Sequence, residues 1–309
     1  MAVDVHIFEV ALRDGLQNEP VSLSTAGKLA VARALDAAGV ADLEVTSFVR
    51  PDRVPQLADA DAVVEGTQRL TARSWVLVPN AVGMEKAVAA GARRVCTVVS
   101  ASETHNLKNI NRSVRDSLAE LRKVIGLAVD EGIAVRAYVS TVFGCPYEGR
   151  VPVERTLDLA CRLLDLGAQR IVLGDTIGTG TPDQVAEVIA ELGEVGIGPE
   201  RLALHAHDTF GTALVNVYAA WRAGVTHFDA SLGGIGGCPY APGASGNLAT
   251  EDLVHLFEGM GVSTGVSLDG LLEAGRLLGD LLGRPLPGRV HRALIGCGCV
   301  APRRASIGG

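Results

Sequence analysis

The feature that most constrains the fold is an alternation running through most of the chain. Short β-branched apolar runs are separated by alanine- and leucine-rich amphipathic stretches. Strands are predicted at about 5–12, 42–48, 74–79, 94–100, 134–141, 170–174, 201–206 and 227–232. Helical patterns lie between them, for example Thr25 to Ala38, Val114 to Glu131, Val153 to Leu166 and Pro182 to Leu192. Gly39, Gly91, Gly132, Gly167 and Gly224 stand where a helix must stop before the next strand. Strands that are apolar nearly throughout need cover on both faces, which implies a parallel sheet sheathed by helices. About eight strand–helix units in roughly 260 residues fit a (β/α)8 TIM barrel.

The polar residues separate a barrel from an open doubly wound sheet. Asp14 follows the first strand, and Glu44 and Ser47 close the second. Ser100 and Glu103 follow the fourth, Thr141 ends the fifth, and Asp175 follows the sixth. His205 and His207 end the seventh, and Asn247 follows the eighth. A barrel's catalytic face collects such groups from the C-terminal ends of many strands, whereas an open sheet concentrates them near one switch point. Residues 1–258 are therefore expected to form a catalytic barrel. Residues 259–309 are expected to be a helical extension, Leu268 to Leu282, followed by a mobile Pro/Gly/Arg-rich tail.

The stretch Leu202-Ala203-Leu204-His205-Ala206-His207-Asp208 turns abruptly polar at its end. Residues two apart on a strand share a side, so both imidazoles can face one ion. Asp14 and Asn247 would complete a mixed nitrogen and oxygen site. That donor set suits magnesium, manganese or zinc better than thiolate-seeking metals.

Bulk properties narrow the function classes. The net charge of −7 and only four lysines, Lys28, Lys86, Lys108 and Lys123, leave no basic stripe for nucleic acid or a membrane surface. No stretch approaches the roughly 20 apolar residues of a membrane span. The start of the chain lacks a signal-peptide pattern, and the six cysteines form no disulfide framework. A reduced, cytoplasmic protein is expected. Cys297 and Cys299 have no assigned role, and His6, His105, His227, His255 and His291 are read as structural.

Three segments carry a more specific signal: Arg13-Asp14-Gly15-Leu16-Gln17-Asn18-Glu19, His205-Ala206-His207-Asp208, and Gly236-Gly237-Cys238-Pro239-Tyr240 running through to Gly246-Asn247. With Glu44 to Val49, Lys108 to Asn111, Gly144 to Gly149, Leu173 to Gly178 and Asn247 to Asp252, they resemble the 3-hydroxy-3-methylglutaryl-CoA lyases. Those enzymes are a branch of the pyruvate-carboxylase-like metal-dependent barrels. The resemblance covers about residues 5–275. Related condensing synthases continue Arg-Asp-Gly with Glu-Gln, whereas this chain continues Leu-Gln-Asn-Glu.

The resemblance implies a retro-Claisen cleavage of an acyl-CoA thioester, 3-hydroxy-3-methylglutaryl-CoA, to acetyl-CoA and acetoacetate. It implies Asp14, His205, His207 and Asn247 as ligands of a divalent metal, Mg2+ or Mn2+. Arg13 would face the developing enolate oxygen, and Cys238 and His205 would transfer protons. Glu44 and Asp175 would orient substrate and ligands, and Glu251 the metal or its amide ligand. Gln17, Ser47, Ser100, Asn109 and Thr141 are expected to meet the substrate. A homodimer or larger homo-oligomer is expected. The alternatives are the same chemistry on citramalyl-CoA or a longer 3-hydroxy-3-alkylglutaryl-CoA, a condensing synthase, and a non-catalytic barrel.

Overall fold

Eight parallel strands close on themselves in chain order: β1 (His6–Glu9), β2 (Asp42–Ser47), β3 (Arg73–Leu77), β4 (Arg94–Ser100), β5 (Ala134–Ser140), β6 (Arg170–Asp175), β7 (Leu202–Ala206) and β8 (His227–Ala230). The last strand pairs with the first, His6 opposite His227 and Glu9 opposite Ala230. The structure is a computed structural model and describes residues 3–237 and 246–296. The helices of the first half are α1 (Thr25–Ala37), α2 (Ala60–Thr67), α3 (Ala81–Ala89), α4 (Glu103–Ile110) and α5 (Val114–Asp130). Those of the second half are α6 (Val153–Asp165), α7 (Pro182–Glu194), α8 (Ala213–Arg222) and α9 (Thr250–Gly259). Two more follow, α10 (Leu268–Leu282) and α11 (Arg289–Gly296). The expected TIM barrel is thus the observed fold.

Local chemistry sets the boundaries. Ser24 and Ser113 cap α1 and α5 by accepting from the amides of Gly27 and Asp116. Thr181 and Gln184 form a reciprocal capping box on α7. Gly39 and Gly167 leave α1 and α6 with φ of 91° and 114°, a region costly for any residue with a Cβ. The clearest departures from the predicted spans flank one carboxylate. β1 stops at Glu9 because Ala11–Gly15 wind into a single π-helical turn. β8 stops at Ala230 before a 3-10 turn at Leu232–Gly234. Glu9 Oε1 accepts from the amides of Ala11 (2.8 Å) and Leu232 (2.9 Å), and Oε2 accepts from Thr250 Oγ1 (2.6 Å). One buried side chain thereby ties both turns to the start of α9.

Two apolar regions result. The larger lies between barrel and helices, where side chains such as Ile125, Leu163 and Phe257 are fully buried. Each such burial contributes about 1.5–3 kcal/mol. The smaller fills the barrel interior with Phe8, Val10, Leu77, Cys96, Tyr138, Val172 and Ala203. The extension packs rather than trails: α10 buries Leu271, Leu272, Leu278 and Leu282 and lies along α1. α11 occupies part of the stretch expected as tail, and Asp252 Oδ1 and Oδ2 accept from the amides of Val290 and Arg289 at its start. Residues 297–309, with Cys297 and Cys299, lie outside the described residues. Among the described residues no helix is long and apolar enough to cross a membrane.

Candidate active site

The π-helical turn after β1 lifts Asp14 toward the C-terminal mouth of the barrel, where the end of β7 delivers His205 and His207. Single π-helical turns are rare and occur frequently at functional sites. Asp14, His205 and His207 each offer one ligand atom, all within 4.8 Å of one another. Asn247 joins them through an isolated antiparallel bridge to His207, its Nδ2 donating to Asp14 Oδ2 at 2.8 Å. Its position is enforced by backbone. A Cβ on Gly236 (φ 110°) would lie 2.4 Å from Asn247 Nδ2, and one on Gly246 would lie 1.2 Å from the Gly236 carbonyl oxygen.

The donor set fits a divalent cation. Asn247 Oδ1 and His207 Nδ1 are buried without a hydrogen-bond partner, a cost that a cation beside the amide oxygen would offset. The Nε2 atoms of His205 and His207 face each other at 3.2 Å. With His205 Nδ1 directed at Asp229 Oδ2, 3.2 Å away, the imidazoles present lone pairs to a common point. Carboxylate, imidazole and amide oxygen together make a mixed nitrogen and oxygen donor set for a divalent ion.

Electrostatics favour the ligating protonation state for Asp14 and His207. Burial would raise the Asp14 carboxyl, but Arg13, His205 and His207 outweigh it and hold it well below the usual carboxylate range. Burial and then the neighbouring His205 push His207 down to about 4, leaving it neutral. For His205 burial works against the charge, and Asp229 more than compensates, raising its pKa.

Arg13 sits between two acids. Its Nη1 pairs with Asp14 Oδ1 and its Nε donates to Glu44 Oε2 at 2.6 Å. Glu44 is fully buried, and burial raises its carboxyl even against the Arg13 charge. Nη2 is the Arg13 nitrogen left without a hydrogen-bonding partner among the described residues. Arg13, Asp14, Gln17, Asn109, His205 and His207 all line one pocket at the barrel mouth.

Other expected site residues are absent from that lining, and most of their polar atoms bond to the protein itself. Ser47 Oγ donates to the Leu77 carbonyl. Thr141 (φ 59°) donates to the Ser140 carbonyl and meets Ser100 Oγ at 2.7 Å. The Asp175 carboxylate accepts from the amides of Thr179 and Gly180 at 3.1 and 3.0 Å, so it shapes its own loop. Burial nevertheless raises Asp175 to about 6. Glu251 Oε2 accepts from the Gly233 amide at 2.9 Å, holding the turn after β8 and not the Asn247 amide. A place near a strand's end thus fixes height on the barrel, not the direction in which the side chain bonds. His105, read as structural, instead lines the pocket with Nδ1 3.0 Å from Ser100 Oγ. Cys238, the expected proton-transfer thiol, lies outside the described residues.

Sequence reading missed the support beneath His205. Asp229 accepts from Arg136 Nη2 and Tyr138 Oη, each at 2.7 Å, as well as facing His205. The available signal was polar spacing of two within apolar strands, His227 and Asp229 on β8 and Arg136 and Tyr138 on β5.

The HMGL-like family profile matches residues 4–278. The chain belongs to the HMGL-like family. It is 46% identical over 286 residues to the hydroxymethylglutaryl-CoA lyase YngG of Bacillus subtilis, covering 92% of this chain and 95% of that one. The crystal structure of the Bacillus subtilis HMG-CoA lyase superposes with a TM-score of 0.92 at 45% identity, covering 95% of this chain and 99% of the other. An HMG-CoA lyase from Acinetobacter baumannii, solved in complex with coenzyme A and 3-methylmalate, gives a TM-score of 0.89 at 38% identity over 99% of this chain and 97% of that one.

Proposed function

We propose that the chain cleaves 3-hydroxy-3-methylglutaryl-CoA to acetyl-CoA and acetoacetate, with a divalent cation held by Asp14, His205, His207 and Asn247. The observation that carries this reading is the meeting of those four side chains with Arg13 at one barrel mouth. The names of the relatives add the substrate. When bound, the cation would acidify a chelated hydroxyl and orient the substrate.

The protein's own groups divide the remaining work. Arg13, fixed by Glu44 through Nε, offers Nη2 to an oxygen that gains charge as the carbon–carbon bond breaks. A permanent cation placed in advance stabilises that charge without reorganisation, an effect of about 2.7–4 kcal/mol for one such donor. His205 Nδ1 is committed to Asp229, which leaves only Nε2 for either ligation or proton transfer. Its engagement as a ligand shifts the proton-transfer role toward the Cys238 thiol, whose sequence context is the Gly236-Gly237-Cys238 run. Neutral His105 at the pocket wall, lowered to about 4 by burial, serves to bind and position. The family resemblance extends the reading to a homo-oligomer.

The test is release of acetyl-CoA and acetoacetate from 3-hydroxy-3-methylglutaryl-CoA with magnesium or manganese, repeated after chelation, with citramalyl-CoA in parallel. Metal-dependent cleavage of the first thioester is expected. Cleavage of citramalyl-CoA alone would keep the residue roles and move the substrate, and inertness toward both would overturn the proposal.

A further inference from the structure

At the opposite end of the barrel, the first residues of several strands open onto a second cavity of about 330 Å³. Its charge is unbalanced. Arg136 and Arg170 are register partners on β5 and β6, and both line it. Like charges placed side by side on neighbouring strands repel. The acids nearby are already engaged. Asp42 accepts from Arg73 Nε at 2.8 Å and from Trp75 Nε1 at 2.7 Å. Asp229 is shared among Arg136, Tyr138 and His205. Arg170, half-buried, has no ion pair among the described residues. Arg136 is 4% exposed, and its Nη1 has no hydrogen-bond partner.

A guanidinium nitrogen buried without an acceptor, next to a second unpaired guanidinium, is a configuration that an external anion relieves. We propose that this cavity binds a compact oxyanion, a phosphate or carboxylate group, between Arg170 and Arg136. Guanidinium groups match the paired oxygens of such a group with parallel charge-assisted hydrogen bonds. His6 and His227 stack at 4.5 Å on the same wall and add neutral ring N–H donors. The Arg136 guanidinium stacks 3.5 Å from the ring centre of Phe8, which holds it in place, and half-buried Trp75 supplies a flat apolar surface for whatever body carries the anion.

Trp75 lies in the cavity wall and is one of two tryptophans in the chain, so its emission reports on occupancy. Orthophosphate and benzoate are titrated separately into the full-length protein at constant ionic strength held with chloride. A saturable change in the millimolar range is expected in at least one arm. Saturation by orthophosphate assigns a phosphate group, and saturation by benzoate assigns a carboxylate on a flat apolar body. Arg170→Gln should weaken binding by about tenfold or more, the effect of losing one charged donor, and Arg170→Lys, which keeps the charge but not the paired donors, should fall between the parent and Arg170→Gln. No saturation up to about 10 mM in either arm, or equal binding by Arg170→Gln, overturns the proposal. A signal that persists in Trp75→Phe arises elsewhere and overturns it as well.

Discussion

Asp229 Oδ2 lies 3.2 Å from His205 Nδ1, and the same carboxylate is held from behind by Arg136 and Tyr138. Residues of three strands, β5, β7 and β8, therefore fix which nitrogen of His205 faces the mouth. A ligating histidine whose far nitrogen is fixed in this way keeps one tautomer and one ring orientation.

Asp229→Asn removes the charge while keeping the shape. Metal affinity should fall by about 10–100-fold, read by calorimetric titration of manganese into metal-free protein. Catalysis should recover in part at saturating metal. Unchanged affinity would show that Asp229 serves the barrel interior alone.

The ligand set predicts a sharper loss. Asp14→Ala or His207→Ala deletes a donor that no other described carboxylate or imidazole within reach replaces. Each should abolish stoichiometric manganese binding and reduce turnover to background, while circular dichroism retains the barrel signature. Full activity in either variant after chelation and metal repletion would remove that residue from the site.

Arg13→Met separates transition-state stabilisation from binding. The substitution should lower kcat by about 10²–10³-fold with a much smaller change in KM. It also strips Glu44 of its buried counter-charge, so thermal stability must be followed alongside. A rise in KM at constant kcat would mean that Arg13 binds the ground state and the transition state equally.

Why were the fold and the candidate ligands legible while the groups that support them were not? The strand and helix periods differ, and glycines such as Gly39 and Gly167 mark each return, so the alternation maps onto the barrel almost directly. Asp14, His205 and His207 stand out because each turns an apolar run polar near a strand's end, and Asn247 because it follows a glycine-rich loop. Asp229, Arg136 and Tyr138 sit inside strands, where period two shows that they share a face but not that the face is the barrel interior. Ser47, Ser100 and Thr141 show the converse. They stand at strand ends, yet their hydroxyls engage backbone or one another, and sequence carries no record of that direction.

Glu9 carries the last prediction. Its carboxylate accepts three hydrogen bonds, but complete burial dominates and raises its pKa from 4.5 to about 7. The folded state therefore holds this proton more tightly than the unfolded chain does. Between about pH 4.5 and 7 the unfolded state ionises first, so Glu9's contribution to stability is fully present below that window and lost as pH rises through it. The total loss is on the order of 3 kcal/mol. Glu9→Gln cannot ionise, and its amide can still accept from Ala11 and Leu232 while Thr250 Oγ1 turns to accept in place of donating. Urea unfolding of both proteins from pH 4.5 to 8 should show the variant gaining stability relative to the parent as pH rises, levelling off above about 7. A pH-independent difference between the two would mean that Glu9 is ionised across the whole range.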